Sequence, residues 1–240
     1  MIGYECLANV ADKPGFGLED HAMLDRRLRN GFVVALCVAL GSGGALAKGD
    51  RLPPPEKGDN GLYRQDWFVE SFLNLPDDLE EAAAKGKRLV IFWEQRGCPY
   101  CKATHEINLR IPKIAAYIKT KFNVLQLDIW GSREVTDFDG QTLPEKELAR
   151  KYGVIFTPTL QFFPESLKKV AGRNGKAAEV LRIPGYFKPF HFYFLFHYAY
   201  ERAYETEPNF QRYLSVKGDE LRARGVDMEA QLWADKLLFD

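Results

Sequence analysis

From Leu75 onward, apolar residues recur at spacings that predict one element after another. Leu79, Ala82, Ala83 and Ala84 follow Pro76-Asp77-Asp78 and stop at Gly86. That pattern predicts a helix opening with acids near its positive end. Residues 88–93 (Arg-Leu-Val-Ile-Phe-Trp) are a short continuous apolar run, the mark of a strand covered on both faces. Helical spacing resumes after Cys101, and again from a turn-rich start near Pro112 through Ile114, Ala115, Tyr117 and Ile118. Residues 122–129 read as a second strand, and 131–143 as a polar loop or small hairpin around Asp139-Gly140. Residues 144–152 suit a helix that begins with Pro-Glu and ends before Gly153. Third and fourth strands are predicted over 159–163 and 180–183, separated by a turn between Gly172 and Gly175. The aromatic stretch 187–204 lacks strand alternation and predicts a helix with Pro189 in its first turn. The tail, 210–240, suits one or two amphipathic helices packing through Leu232, Trp233, Leu237 and Leu238. The sum is an α/β fold: a central mixed sheet flanked by helices on both faces, with a helical C-terminal extension.

The first 47 residues follow a different logic. The apolar run 31–40 lies behind Arg26, Arg27 and Arg29, and small residues after it end in Ala45-Leu46-Ala47. This is the layout of a cleavable signal peptide, with cleavage predicted after Ala47. The run is too short to cross about 30 Å of hydrocarbon, which takes about 20 helical residues. Met23 stands just ahead of the arginines, so residues 1–22 read as an upstream extension from a misplaced start. The residues around Arg26-Arg27 match a twin-arginine signal poorly. Residues 48–61, with Pro53-Pro54-Pro55, read as an extended linker. The expected organisation is therefore extension plus signal peptide (1–47), linker (48–61), main domain (62–206) and helical extension (207–240).

Composition narrows the chemistry. Formal net charge is zero, so no global field favours nucleic acid or an anionic membrane. Short basic clusters, Lys85-Gly86-Lys87-Arg88 and Lys168-Lys169, read as solvated charges. Four cysteines are present, at 6, 37, 98 and 101. Cleavage after Ala47 leaves only Cys98 and Cys101. An exported chain with two cysteines three positions apart has no spread-out disulfide framework; its sulfur chemistry sits in one place.

Cys98-Pro99-Tyr100-Cys101 follows the buried strand through 94–97 and opens a helix. A cysteine at a helix N-terminus meets free N–H groups and partial positive charge, which stabilise its thiolate. Cys98 is thus the expected nucleophile, and Cys101 the residue that resolves a mixed disulfide. Pro99 presets the first helical turn, and Tyr100 is placed to touch substrate. Arg96 and Lys102 are positioned to add local positive potential. Three plainer readings stand beside this one. Cys98 and Cys101 as half of a zinc site would have His105 as a third ligand. An unreactive disulfide would close only a tiny loop. The third, haem attachment, is ruled out because it requires a histidine where Lys102 stands. His191 and His197, six apart, read as packing or rim residues.

Phe156-Thr157-Pro158-Thr159 supplies a second signal, a proline at the mouth of an apolar strand. With the dithiol it resembles the thioredoxin superfamily. That resemblance implies a thioredoxin fold in which Pro158 is a cis-proline facing the dithiol. It further implies that Pro158 and the preceding Thr157 shape a groove for the substrate chain. A tighter resemblance rests on Phe-Trp-Glu-Gln-Arg-Gly-Cys-Pro-Tyr-Cys, Leu-Asp-Ile-Trp-Gly (127–131), Asp-Phe-Asp-Gly (137–140) and Phe-Thr-Pro-Thr (156–159). These segments look like the periplasmic thioredoxins of bacterial sulfur-oxidation systems (the SoxW group), over roughly residues 67–213. What this implies is a periplasmic enzyme that reduces disulfides or thiol adducts on partner proteins. Its electrons would come from a membrane thiol transporter, and it would need no cofactor beyond the dithiol. One departure matters: the strand before the dithiol lacks the family's buried acid. Glu94 is the nearest substitute and the expected proton acceptor for Cys101, with Glu106 more distant. A dithiol oxidase or isomerase, and a metal-binding or carrier module, remain open alternatives.

Overall fold

The computed structural model describes residues 51–234 and 236–239, which belong to the unit Gly44–Asp240. The expected signal peptide and its cleavage point lie outside the described residues. The segment read as a linker is extended but docked. Leu52 exchanges hydrogen bonds with Arg110 through both its N–H (2.9 Å) and its carbonyl (2.8 Å). Its last part forms β1 (Glu56–Lys57), which pairs antiparallel with β2 (Tyr63–Arg64).

Helix α1 (Leu75–Ala84) opens on Pro76 and two acids, and buries Leu75, Leu79 and Ala82. Strand β3 (Arg88–Glu94) is buried along its whole length because both neighbours and both faces are occupied. It pairs in parallel with β4 (Phe122–Asp128). On its other side runs the antiparallel β7 (Thr159–Phe162), itself paired with β8 (Leu181–Pro184), so the order is β4-β3-β7-β8. Alternation along β3 separates two cores. Leu89, Ile91 and Trp93 meet α1 and α4 (Glu145–Tyr152) on one face. Val90 and Phe92 face the other side, with α3 (Pro112–Lys121) and α7 (Pro189–Tyr200). By the same parity Glu94, the strand's last residue, points to this second side.

Helix α2 (Pro99–Ala103) runs on into a π-helical turn, Thr104–Asn108. Between β4 and α4 lies the hairpin of β5 (Glu134–Thr136) and β6 (Thr142–Pro144). Where one turn was expected around Gly172–Gly175, two helical turns form, α5 (Leu167–Val170) and α6 (Gly175–Ala178). The Asp-Phe-Asp-Gly segment closes the hairpin. Asp137 accepts hydrogen bonds from the Tyr152 hydroxyl and the Gly175 N–H (2.9 Å), tying the hairpin turn to α4 and α6. A Cβ at Gly131 would collide with the buried Glu145 carboxylate, which also holds Arg133 and the Asp128 N–H. This accounts for the Trp-Gly step at the end of β4.

The aromatic helix is shorter than its composition suggested. It starts only at Pro189 because Asn108 holds the Phe187 carbonyl (2.8 Å), and it ends before Arg202, which adopts a left-handed conformation (φ 56°). Most of its rings are core, packed between the sheet and α8 (Phe210–Ala223). The tail corrects one expectation. Helix α9 (Met228–Leu232) stops early, and beyond it Leu237 and Phe239 turn inward while Trp233 and Leu238 are exposed. An extended chain alternates its side chains, so inward positions fall two apart rather than at helical spacing. Among the described residues no helix is long and apolar enough to cross a membrane.

Candidate active site

Strand β3 delivers the chain to the dithiol through residues 95–97, where Gly97 takes the positive φ (77°) that a side chain disfavours. Cys98 is the N-cap of α2 and Pro99 occupies the first turn. The Cys101 N–H donates to Cys98 Sγ (3.0 Å), and the Lys102 N–H donates to the Cys98 carbonyl (3.1 Å). The two sulfurs are joined as a disulfide with Cα atoms 5.3 Å apart. Cys98 is 6% exposed and Cys101 2%. On reduction, the N–H that already points at Cys98 Sγ favours its thiolate. The flanking cations go elsewhere: Arg96 donates to the Asn60 carbonyl (3.2 Å), and Lys102 pairs with Glu106 (3.7 Å).

The loop before β7 comes to the same sulfur. The Thr157–Pro158 peptide is cis, and the Thr157 carbonyl oxygen lies 3.5 Å from Cys98 Sγ. The Pro158 carbonyl accepts from the Gly185 N–H (2.7 Å), so the β8–α7 loop braces this segment. Around the dithiol stand exposed apolar side chains: Tyr100, Trp130, Ile155 and Phe156. Trp130 is held by a hydrogen bond from its Nε1 to Gln95 Oε1 (2.7 Å). Tyr186 stacks beside Tyr100 with centroids 6.4 Å apart and donates to Asn108 Oδ1 (3.2 Å). Burial pushes the Tyr186 phenol up, which keeps it the donor in that bond.

The sequence pattern of a thioredoxin-like domain matches residues 75–200, just over half of the chain, and spans both the dithiol and Pro158. The chain belongs to the thioredoxin-like family. Its architecture is accordingly the thioredoxin fold with C-terminal helices added, and a thioredoxin-like domain with a Cys-x-x-Cys disulfide is a thiol–disulfide oxidoreductase. No curated protein matches the sequence significantly. Similar solved structures include a thioredoxin-fold protein from Helicobacter pylori, at 20% identity and TM-score 0.46, covering 63% of this chain and 89% of that one. A thioredoxin from Thermus thermophilus is 28% identical with TM-score 0.33, covering 46% and 71%. The oxidised C-terminal domain of DsbD from Neisseria meningitidis is 15% identical with TM-score 0.37, covering 52% and 89%.

Where the dithiol helix continues past α2, this thioredoxin-like domain holds a buried polar chain. Glu94 lies within β3, not after it as the apolar run suggested, and is 1% exposed. Both its carboxylate oxygens are 3.1 Å from His105 Nε2. His105 Nδ1 is 3.1 Å from Gln65 Nε2. Gln126 Nε2 donates to Glu94 Oε2 and to the Tyr63 carbonyl (2.6 Å). Both ring nitrogens of His105, weighed as a metal ligand from sequence, thus face protein groups. Glu106 lies on the outer side of the helix in its pair with Lys102.

The structure therefore gathers Cys98, Pro99, Tyr100, Cys101, Thr157 and Pro158 at one surface, and it buries Glu94 at the end of β3 against His105, four residues beyond Cys101. Sequence reasoning missed His105 as Glu94's partner, and it missed Gln65, Gln126, Asn108 and Tyr186 altogether. One signal was legible. Thr104, His105 and Asn108 stand three, four and seven residues beyond Cys101, a polar stripe at the spacing of a buried helix face. Gln65 and Gln126 carried none, because they arrive from distant elements.

Proposed function

We propose that this protein reduces disulfides or thiol adducts on partner proteins outside the cytoplasm, in a sulfur-oxidation system. The observation that carries the reading is the setting of Cys98. It caps a helix, is bonded to Cys101, lies 3.5 Å from the Thr157 carbonyl and is ringed by exposed apolar side chains suited to a protein substrate. Export is supported by the signal-peptide pattern, and the pathway by the resemblance of residues 127–131, 137–140 and 156–159 to segments of the sulfur-oxidation thioredoxins.

In the reduced enzyme, the Cys98 thiolate attacks one sulfur of the partner's disulfide. That S–S bond breaks and one partner thiolate leaves. Cys101 then gives its proton to Glu94 and attacks Cys98 Sγ. The mixed disulfide breaks, the second partner thiolate leaves, and a proton returns from Glu94 to solvent or to that thiolate. Two electrons have passed to the partner, and Cys98–Cys101 is left as the disulfide. Thr157 and Pro158 line the groove in which the partner chain lies, with Pro99 and Tyr100 opposite. A membrane thiol transporter returns the electrons.

Trapping tests this directly. A Cys101→Ser variant, expressed in cells growing on reduced sulfur compounds, is expected to accumulate mixed disulfides with exported proteins of that pathway. Recovery of none removes the pathway assignment. Equilibration with glutathione tests the direction: a potential near about −120 mV, the strong-oxidant end of the range, makes the protein an oxidase instead.

A further inference from the structure

The inner face of the dithiol helix is polar where a core face is ordinarily apolar. Cys101, Thr104, His105 and Asn108 are all buried along it. His105 is wholly enclosed; its ring stacks on Phe92 (5.5 Å) and lies near Phe68 (5.6 Å) and Tyr63 (6.0 Å). The hydrogen bonds around it are consistent with one protonation state. The Gln65 amide nitrogen donates to Nδ1, so Nδ1 carries the lone pair and the proton sits on Nε2. Nε2–H then donates to the Glu94 carboxylate. His105 stands four residues beyond Cys101, where α2 passes into the π-helical turn, and both side chains are buried. Parity along β3 turns Glu94 toward the same layer.

We infer that His105 is a positioning residue for the resolving step: a neutral imidazole, locked as the Nε2–H tautomer by Gln65, that holds Glu94 as an open carboxylate behind Cys101. The inference rests on the proposed exchange reaction, with Glu94 as acceptor. Stripped of donors, a carboxylate in a dry site keeps its proton and has nothing to accept with. Nε2–H of His105 and the Gln126 amide supply those donors. In the step itself the Cys101 proton moves to Glu94. The sulfur's electron pair forms the bond to Cys98 Sγ, and the partner thiolate leaves with the pair of the broken bond. His105 neither gains nor loses a proton.

Among the described residues, the following charged and titratable groups stand near this pair. Tyr63 lies beside the His105 ring from β2 (6.0 Å), and Cys101 precedes His105 by four residues on the same helix. Across the β4 ladder stand Asp128, whose carboxylate accepts from the Trp130 N–H, and Arg133, which donates to the Gln126 carbonyl and pairs with Glu145. Lys102 and Glu106 pair with each other on the outer side of the helix.

The test uses the full chain carrying Cys6→Ser and Cys37→Ser, so that Cys98 and Cys101 are its two thiols, reduced, with the aromatic disulfide 5,5′-dithiobis(2-nitrobenzoate) in stopped flow. Two thionitrobenzoate ions are released in turn, the first by Cys98 and the second by Cys101. In His105→Phe the second phase is expected to slow about tenfold or more near neutral pH, with its acid limb displaced to higher pH. The first phase is expected to change by less than about threefold, because Cys98 keeps its own N–H donor. His105→Gln, which restores an amide N–H where Nε2–H stood, is expected to recover the wild-type pH profile. Thermal melts of both variants separate loss of folding from loss of the step. A His105→Phe second phase with the wild-type rate and profile overturns the inference and leaves the exchange reaction standing. Release of no second ion by the same Cys6→Ser, Cys37→Ser chain with His105 in place overturns both.

Discussion

The carbonyl oxygen of Thr157 lies 3.5 Å from Cys98 Sγ, although 59 residues separate the two in the chain. A loop ahead of β7 and the first turn of α2 therefore share one reacting sulfur. The exposed rim follows from this: Ile155 and Phe156 precede Thr157, while Tyr100 and Trp130 flank the other side. Replacing Phe156 and Trp130 together with serine is expected to raise KM for a protein disulfide about tenfold, the scale of losing one interface anchor. The rate with a small aromatic disulfide is expected to stay within about twofold of wild type. Equal losses on both substrates would show that these side chains support the dithiol itself and not a partner surface.

Arg88 gives a prediction for the fold. Its guanidinium is buried at the start of β3 and donates to the Ala199 and Phe163 carbonyls and to the Tyr204 hydroxyl. It thereby fastens the end of α7 to the sheet. Arg88→Met leaves those acceptors unpaired and is expected to lower unfolding free energy by about 2–4 kcal/mol. Urea denaturation measures it. The first phase of dithiol attack should be unchanged, because the opposite end of β3 carries the active site.

Asp78 makes stability depend on pH. Burial in the first turn of α1 raises its carboxyl to about 6, against a hydrogen bond from Ser71 that lowers it. The folded state then binds a proton more tightly than the unfolded chain, whose ordinary value is 3.8. Between those values the native state holds the extra proton, so this contribution to stability is present at low pH and is lost as pH rises toward about 6. The slope cannot exceed about 1.4 kcal/mol per pH unit for one proton. Asp78→Asn is expected to flatten that part of the stability–pH curve in chemical denaturation. An unchanged slope would place the dependence on another group.

Most elements were legible because their signals are local. The burial of β3 shows in six consecutive apolar or stem-burying residues, and α1 and α4 show in an opening proline, acids near the start and glycine just past the end. Where local pattern and fold differ, a contact from elsewhere in the chain intervenes. Asn108 holds Phe187 out of α7. The early end of α9 exposes Trp233 and Leu238 and brings Phe239 onto Phe194 (5.7 Å). A charged residue ends an apolar run, which places Glu94 beyond the strand by pattern alone, yet the ladder to Asp128 includes it.

The chain's own pattern determined the α/β architecture, the dithiol at a helix start and the proline segment that would face it, because each depends on neighbours a few residues away. Only the folded molecule decided how that dithiol is served. His105 meets Glu94, Gln65 closes the far side of the ring, and Thr157 reaches Cys98 because the strand order β4-β3-β7-β8 and the parity of β3 bring them together. Periodicity specifies which face a side chain takes; which partner it finds across the layer is set by register and packing between elements distant in sequence.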